Sequence, residues 1–220
     1  VLTITIATSA LFIFLSFSKG VEGMAIPFFT DRSSPTSLIV SPQQKPSIFE
    51  KRTLITNEII ETIKKNESIK EVKRRFVFPF PSSLRVSFFG FSFETDVPFF
   101  GYDTEKTKTK AQYIPVYLSP FLVDIFNSSI IESTPGVPKV SPEDVLEKEM
   151  DISFGKSTFI YTNQNIQEEK GYIADFLPEA PLIGAIIPYE TAVRILEDVS
   201  GIKPSEIVHQ NLFLEVDTVS

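Results

Sequence analysis

The chain contains no cysteine, no tryptophan and a single histidine, His209. Without cysteine there is no disulfide, no catalytic thiol and no thiolate-bound metal, and the redox state of the compartment stays open. One histidine cannot build a multi-histidine metal site, and a histidine-based triad would have to use His209, beside the last apolar run of the chain. Positive charge is also in deficit: 21 Lys and Arg face 28 Asp and Glu, for a net charge of −7. Nucleic-acid binding draws on excess basic surface to neutralise phosphates, so no nucleic-acid partner is expected. There is no GxGxxG, P-loop, GxSxG or HExxH pattern, hence no recognisable frame for a dinucleotide, a phosphate, an acyl-enzyme or zinc. The chain reads as non-enzymatic, with no cofactor.

Apolar and aromatic sequence is plentiful. Phenylalanine occurs 21 times in 220 residues, and 42% of the chain is hydrophobic. That is enough for one domain of ordinary size plus a leader. Val1 to Phe17 is nearly continuous apolar sequence with no charge before Lys19. Residues 1–25 therefore read as a cleaved signal or a membrane anchor, with a buried helix as the remaining alternative. Residues 26–52 are rich in Ser, Thr and Pro and poor in acids, as in a linker or transit-like segment.

The domain begins at Thr53. Thr53 to Phe76 carries a cap signal at Thr56-Asn57-Glu58, an interrupted stripe of Ile59, Ile60, Ile63, Ile69, Val72 and Phe76, and a basic end at Lys70, Lys73, Arg74 and Arg75. These features predict an amphipathic helix whose basic run is a solvated end. In FVFPFP, Phe76 to Pro81, the prolines predict an extended segment. Leu84 to Phe93 predicts one strand with an irregularity at Gly90.

A pattern then runs twice. Val97–Tyr102, polar Thr104–Lys110, Ile114–Leu118 and a helix with Phe121, Leu122, Ile125 and Phe126 are echoed by Thr158–Asn163, polar Gln164–Gly171, Leu182–Ile187 and a helix with Tyr189, Ala192, Val193, Leu196 and Val199. Ser119-Pro120 and Pro188 mark the two helix starts. The expected fold is α+β: two pseudo-repeats of strand–turn–strand–helix, about 94–150 and 155–220, forming a sheet with packed helices. A short acidic helix over Pro142–Met150 and a closing strand over Asn211–Val219 complete it.

Few residues offer chemistry. Glu143, Asp144, Glu147, Glu149 and Asp151 could do acid–base work or bind a divalent ion, but they share a short segment with no ligand-loop glycine and read as a solvated face. Asn66-Glu67-Ser68 and Asn127-Ser128-Ser129 match the glycosylation acceptor pattern. The candidate site is apolar: Phe88, Phe89, Phe91, Phe99 and Phe100 either all belong to the core or extend past it into an exposed groove, the candidate client-binding surface.

Val97-Pro98-Phe99-Phe100 followed by Ile114-Pro115-Val116-Tyr117-Leu118 and a helix, and then Phe159–Asn163 with Ala185-Ile186-Ile187 and a helix, resemble the 22-kilodalton soluble component of the plastid Tic import apparatus. The resemblance covers roughly residues 56–215. The second unit lacks the Val-Pro opening, and FVFPFPSSLRVSFFGFSF has no obvious counterpart. The resemblance implies a chaperone-like, non-enzymatic protein of the plastid intermembrane space whose partners are precursor or translocon proteins. It transfers no catalytic residue. Peripheral contact with a membrane is left open. The rivals are a membrane-anchored assembly subunit, an exported binding domain, and an extracytoplasmic enzyme or small-ligand binder.

Overall fold

The computed structural model describes residues 37–42, 54–88, 90–104, 110, 112–128, 139–161 and 165–216. The leader 1–25 lies outside them, as do the polar residues 105–109 and most of 26–52. Within that linker-like stretch, Ser37–Val40 forms strand β1 at one edge of the sheet. Among the described residues no helix is long and apolar enough to cross a membrane.

The fold is α+β, built on one ten-stranded sheet. After β1 come helix α1 (Asn57–Lys64), β2 (Ile69–Val77), β3 (Ser82–Phe88), β4 (Phe91–Asp96), β5 (Phe99–Tyr102), β6 (Ile114–Leu118) and α2 (Phe121–Phe126). Then follow α3 (Pro142–Val145), β7 (Glu149–Phe154), β8 (Gln167–Phe176), β9 (Ala185–Pro188), α4 (Tyr189–Ser200) and β10 (Asn211–Val216). The strand order is β1-β10-β2-β5-β9-β6-β8-β7-β3-β4.

The pairing pattern reads the same outward from its centre. β6 and β9 pair antiparallel through Tyr117↔Ile186 and Leu118↔Ala185. Each then has a parallel neighbour, β8 beside β6 and β5 beside β9. Beyond these all pairs are antiparallel: β7, β3 and β4 on one side, β2, β10 and β1 on the other. Chain order follows for the inner six strands: β2-β5-β6-α2 answers β7-β8-β9-α4.

Those units differ from the expected repeats at 94–150 and 155–220. Thr158–Ile160 is a run of bends with exposed side chains, not an opening strand, and 162–164 lie outside the described residues. The strand before β9 is β8, where a polar hairpin loop was expected. Its first residues, Gln167, Glu168, Glu169 and Lys170, run past β6 and pair only with β7, Lys170 bonding Asp151. None of these four residues is buried, so this end of the strand lies past the core and carries no apolar alternation. β7, Glu149–Phe154, does alternate, with Met150, Ile152 and Phe154 buried, but its first residues were read with the acidic ones before them as a helix; only Pro142–Val145 is helical, opened by a Ser141–Asp144 capping box.

The helix expected over Thr53–Phe76 is divided. It stops at Lys65, the Ser68 N–H donates to the Asn66 side chain, and the chain re-enters as β2. That turn frees Ile69, Val72 and Phe76 to extend between β10 and β5. The basic run consequently lies on a sheet strand, with Lys70 exposed and Lys73, Arg74 and Arg75 half-buried.

β2–β3 and β4–β5 form two arms of one bent hairpin. Leu84–Phe93 is the far end of this hairpin, not a single strand: β3 and β4 pair from Ser83↔Asp96 to Phe88↔Phe91, and Gly90 takes φ +83° in the turn. Prolines at 79, 81 and 98 mark the bend. It is held by Phe78 N–H to Phe99 O (3.1 Å), Val97 N–H to Ser82 O (2.9 Å) and Gly155 N–H to Pro81 O (2.9 Å). The bend carries β3 across to β7.

The main core lies on the helix side of the sheet, where Phe76, Phe78, Phe80, Phe99 and Phe154 cluster with ring centroids 5.0–5.7 Å apart. Each buried ring contributes roughly 1.5–3 kcal/mol. Helix α4 caps this cluster with Ala192, Ile195, Leu196 and Val199. A second, more aromatic cluster of Phe100, Tyr102, Tyr117, Tyr172 and Ile186 is covered by Leu177 and Ala180 of the β8–β9 connection.

Candidate functional site

The phenylalanines expected to form a client surface do not form one together. Phe99 and Phe100 are 1% and 7% exposed, Phe99 in the main core and Phe100 in the aromatic cluster. β5 is a central strand with both faces covered, so neither alternate position reaches solvent. Phe88 and Phe91 face each other as the last pair of the β3–β4 hairpin, their side chains outside the described set, and Phe89 lies outside the described residues. At the bend of the long hairpin, Phe78, Phe80 and Phe99 are packed in the main core.

A different stretch displays apolar surface. Phe159, Ile160 and Tyr161 follow β7 and are 80%, 70% and 89% exposed. The backbone of the first two is nonetheless held. The Asp96 carboxylate, at the end of β4, accepts from the Ser157 hydroxyl, from Thr158 N–H (2.7 Å) and from the Thr158 hydroxyl (2.7 Å). Ser157 Oγ in turn accepts from Phe159 N–H (3.0 Å) and Ile160 N–H (2.9 Å). Desolvation pushes the Asp96 pKa up, but these three donors outweigh it and hold it below the ordinary carboxylate range. The same connector also bonds near a second exposed apolar side chain. Pro98 O accepts from Ala185 N–H (3.0 Å) at the start of β9, two residues after Ile183, which is mostly exposed. One linker, Asp96-Val97-Pro98, thus bonds to both stretches of chain.

The remaining candidates for chemistry resolve as structure. Asp144 caps α3, Glu149 accepts from Lys110 (2.8 Å) and Tyr113, and Asp151 pairs with Lys170. No group of three or more His, Asp or Glu able to hold a metal exists among the described residues. A polar groove of about 420 Å³ lies over β3, β7 and β8. Its charges face one another, Arg85 with Glu94 (2.7 Å) and Lys170 with Asp151. His209 is fully buried: Tyr189 OH lies 3.0 Å from its Nε2, and Ile55 O lies 3.3 Å from its Nδ1. Of the two glycosylation patterns, Asn66 is exposed, whereas Asn127 spends both ends of its amide on Val140, donating to its carbonyl (2.7 Å) and accepting from its N–H (2.8 Å).

Two arginines of the run read as solvated lock the sheet. Arg74 makes a fork to Asp103 (2.7 and 2.9 Å) and stacks 3.7 Å above the Tyr189 ring. Arg75 donates to Glu179 O (3.0 Å) and Asn211 Oδ1 (2.6 Å) and lies over Phe213, fastening the β8–β9 connection to β2 and β10. Nothing in the sequence separates these arginines from a surface patch, because their partners are 29 to 136 residues away.

No family model matches the chain, and no curated protein does. Among solved structures it is similar to the periplasmic region of MacB from Actinobacillus actinomycetemcomitans, at 11% identity and TM-score 0.44 over 84% of this chain and 76% of that one. It is also similar to the extracellular domain of the noncanonic ABC-type transporter YknZ from Gram-positive bacteria, at 14% identity and TM-score 0.38 over 83% and 85%. Likeness at that level transfers neither a function nor a site.

Proposed function

We propose that the chain is a non-enzymatic binding module that holds other polypeptides against the loop at Phe159–Tyr161. The observation that carries this is the combination of high exposure with a fixed backbone. Three consecutive large apolar side chains stand in solvent, the first two on a turn whose hydrogen bonds leave it little freedom to fold them away. Exposed apolar groups on a preorganised frame lose little entropy on binding, which is what a recognition surface requires.

The class of partner comes from the resemblance to the plastid import component: precursor polypeptides in transit across an envelope, met in an exported compartment. Such segments are extended and apolar in part, and a net charge of −7 favours basic ones.

The test is titration of an unfolded, fluorescently labelled client with the wild type and with a Phe159→Ser, Ile160→Ser, Tyr161→Ser triple variant. Exposed positions carry little stability, so the thermal midpoint stays in place. The Kd rises about tenfold or more. Asp96→Ala, which frees the loop without altering its surface, weakens binding less but measurably. Unchanged affinity in the triple variant overturns the reading.

A further inference from the structure

β1 is held unlike any other strand. It spans four residues between Pro35 and Pro42, at the edge of the sheet, and pairs only with β10, from Ser37↔Glu215 to Val40↔Leu212. Leu38 and Ile39 are 55% and 62% exposed. What fixes the strand is the backbone ladder plus two side-chain contacts: Val40 packs on the small cluster of Ile55, Ile60, Leu212 and Leu214, and the Ser41 hydroxyl oxygen, just past the strand, accepts from the Asn211 side-chain amide (2.5 Å). Leu38, opposite Leu214, is on the same side. The strand also comes from a stretch whose composition is that of a linker or processing segment, and residues 43–53 separate it from the domain proper.

A ladder of main-chain bonds does not read side chains, and one apolar contact at alternate positions is a loose requirement. We infer that the outer edge of β10 is a strand-acceptor site, which Ser37–Val40 occupies in cis. Its partner in trans is an extended segment of another polypeptide carrying an aliphatic residue where Val40 sits and a second one two positions earlier. The cis strand shows the chemistry that fits, and it protects an edge that would otherwise offer unpaired N–H and C=O groups. Because the cis strand belongs to the same chain it competes intramolecularly, so it yields only to a segment that binds well. This does not rest on the loop at 157–161, which lies on a different part of the chain.

The experiment uses the full chain with Ile39→Pro and Val40→Pro together. Of two consecutive residues in a strand, one points its N–H toward the partner, so at least one bond is lost along with the Val40 contact. The probe is a labelled peptide of residues 36–41, TSLIVS. The variant binds it at least tenfold more tightly than the wild type does, and amide exchange slows at Leu212–Leu214 when it is bound. A folded variant that fails to bind the peptide overturns the proposal. So does equal binding of a peptide N-methylated at its two central amides, since then no ladder forms. Should the double-proline chain lose its fold by circular dichroism, Val40→Asp replaces it, with the same outcomes deciding.

Discussion

At the residue scale the chain's single histidine is the most informative side chain. His209 packs its ring parallel to Tyr189 and lies between that hydroxyl and the carbonyl of Ile55. The neutral ring satisfies both, with Nδ1–H donating to Ile55 O and Nε2 accepting from the Tyr189 O–H. Burial is the main force lowering its pKa; the Ile55 carbonyl opposes it, Arg74 adds to it, and Asp103 opposes. Asp103 and Glu190 are the acids near this network, and the Arg74 fork engages Asp103. The unfolded chain therefore takes up a proton that the folded chain resists. Stability from this site is complete above about pH 6.5, the ordinary histidine value, and falls as pH drops below it toward the folded value. The thermal midpoint should decline between pH 7 and pH 5, and His209→Gln should flatten that decline while lowering the midpoint at pH 7. A slope unchanged by the substitution would show that other groups set it. The sequence showed only that His209 cannot build a multi-histidine metal site; it could not reveal Tyr189 and Ile55 as partners, which are 20 and 154 residues away.

At the scale of elements, strands with both faces covered were legible, and so was β10 from its alternation, whereas β2, β7 and β8, whose charged residues mimic other structure, were not. Ile114–Leu118 and Ala185–Ile187 stand out as apolar runs, and the helices after them are marked by proline and by spacing. β2 and β8 carry charges on positions that pair with distant strands, so their local pattern resembles a helix end and a loop. Phe99 and Phe100 were assigned to the surface because nothing local shows that β9 and β2 flank them. The seat of α4 on β5 shows what a single missing side chain does. A Cβ at Gly101 would lie 2.4 Å from the Phe76 ring and 2.6 Å from Ala192 Cβ, so the helix comes this close only over glycine. Gly101→Ala should destabilise the fold by about 1–3 kcal/mol, read as a lower denaturation midpoint with unchanged slope. An unaltered midpoint would place α4 elsewhere.

For the whole molecule, strand order was beyond the sequence because the central pairs join residues far apart: Phe99 lies beside Ala185, and Tyr117 lies beside Asp175 and Ile186. The sheet should be most resistant where each strand has two long-range neighbours. Amide exchange is expected to be slowest in β5, β6 and β9, faster in β4 and fastest in β1, the two edges. Protection of β1 equal to that of β9 would contradict this order. The interlocking of the two units also sets a timetable. β6 has no parallel neighbour until β8 is available, and β5 has none until residues 185–188 arrive. A chain that emerges N-terminus first can close the β3–β4 hairpin early, but β6 waits for residues 171–176 and β5 for residues 185–188. The middle of the sheet is therefore a late event on the clock of synthesis, set by strands of the second unit and not by those of the first.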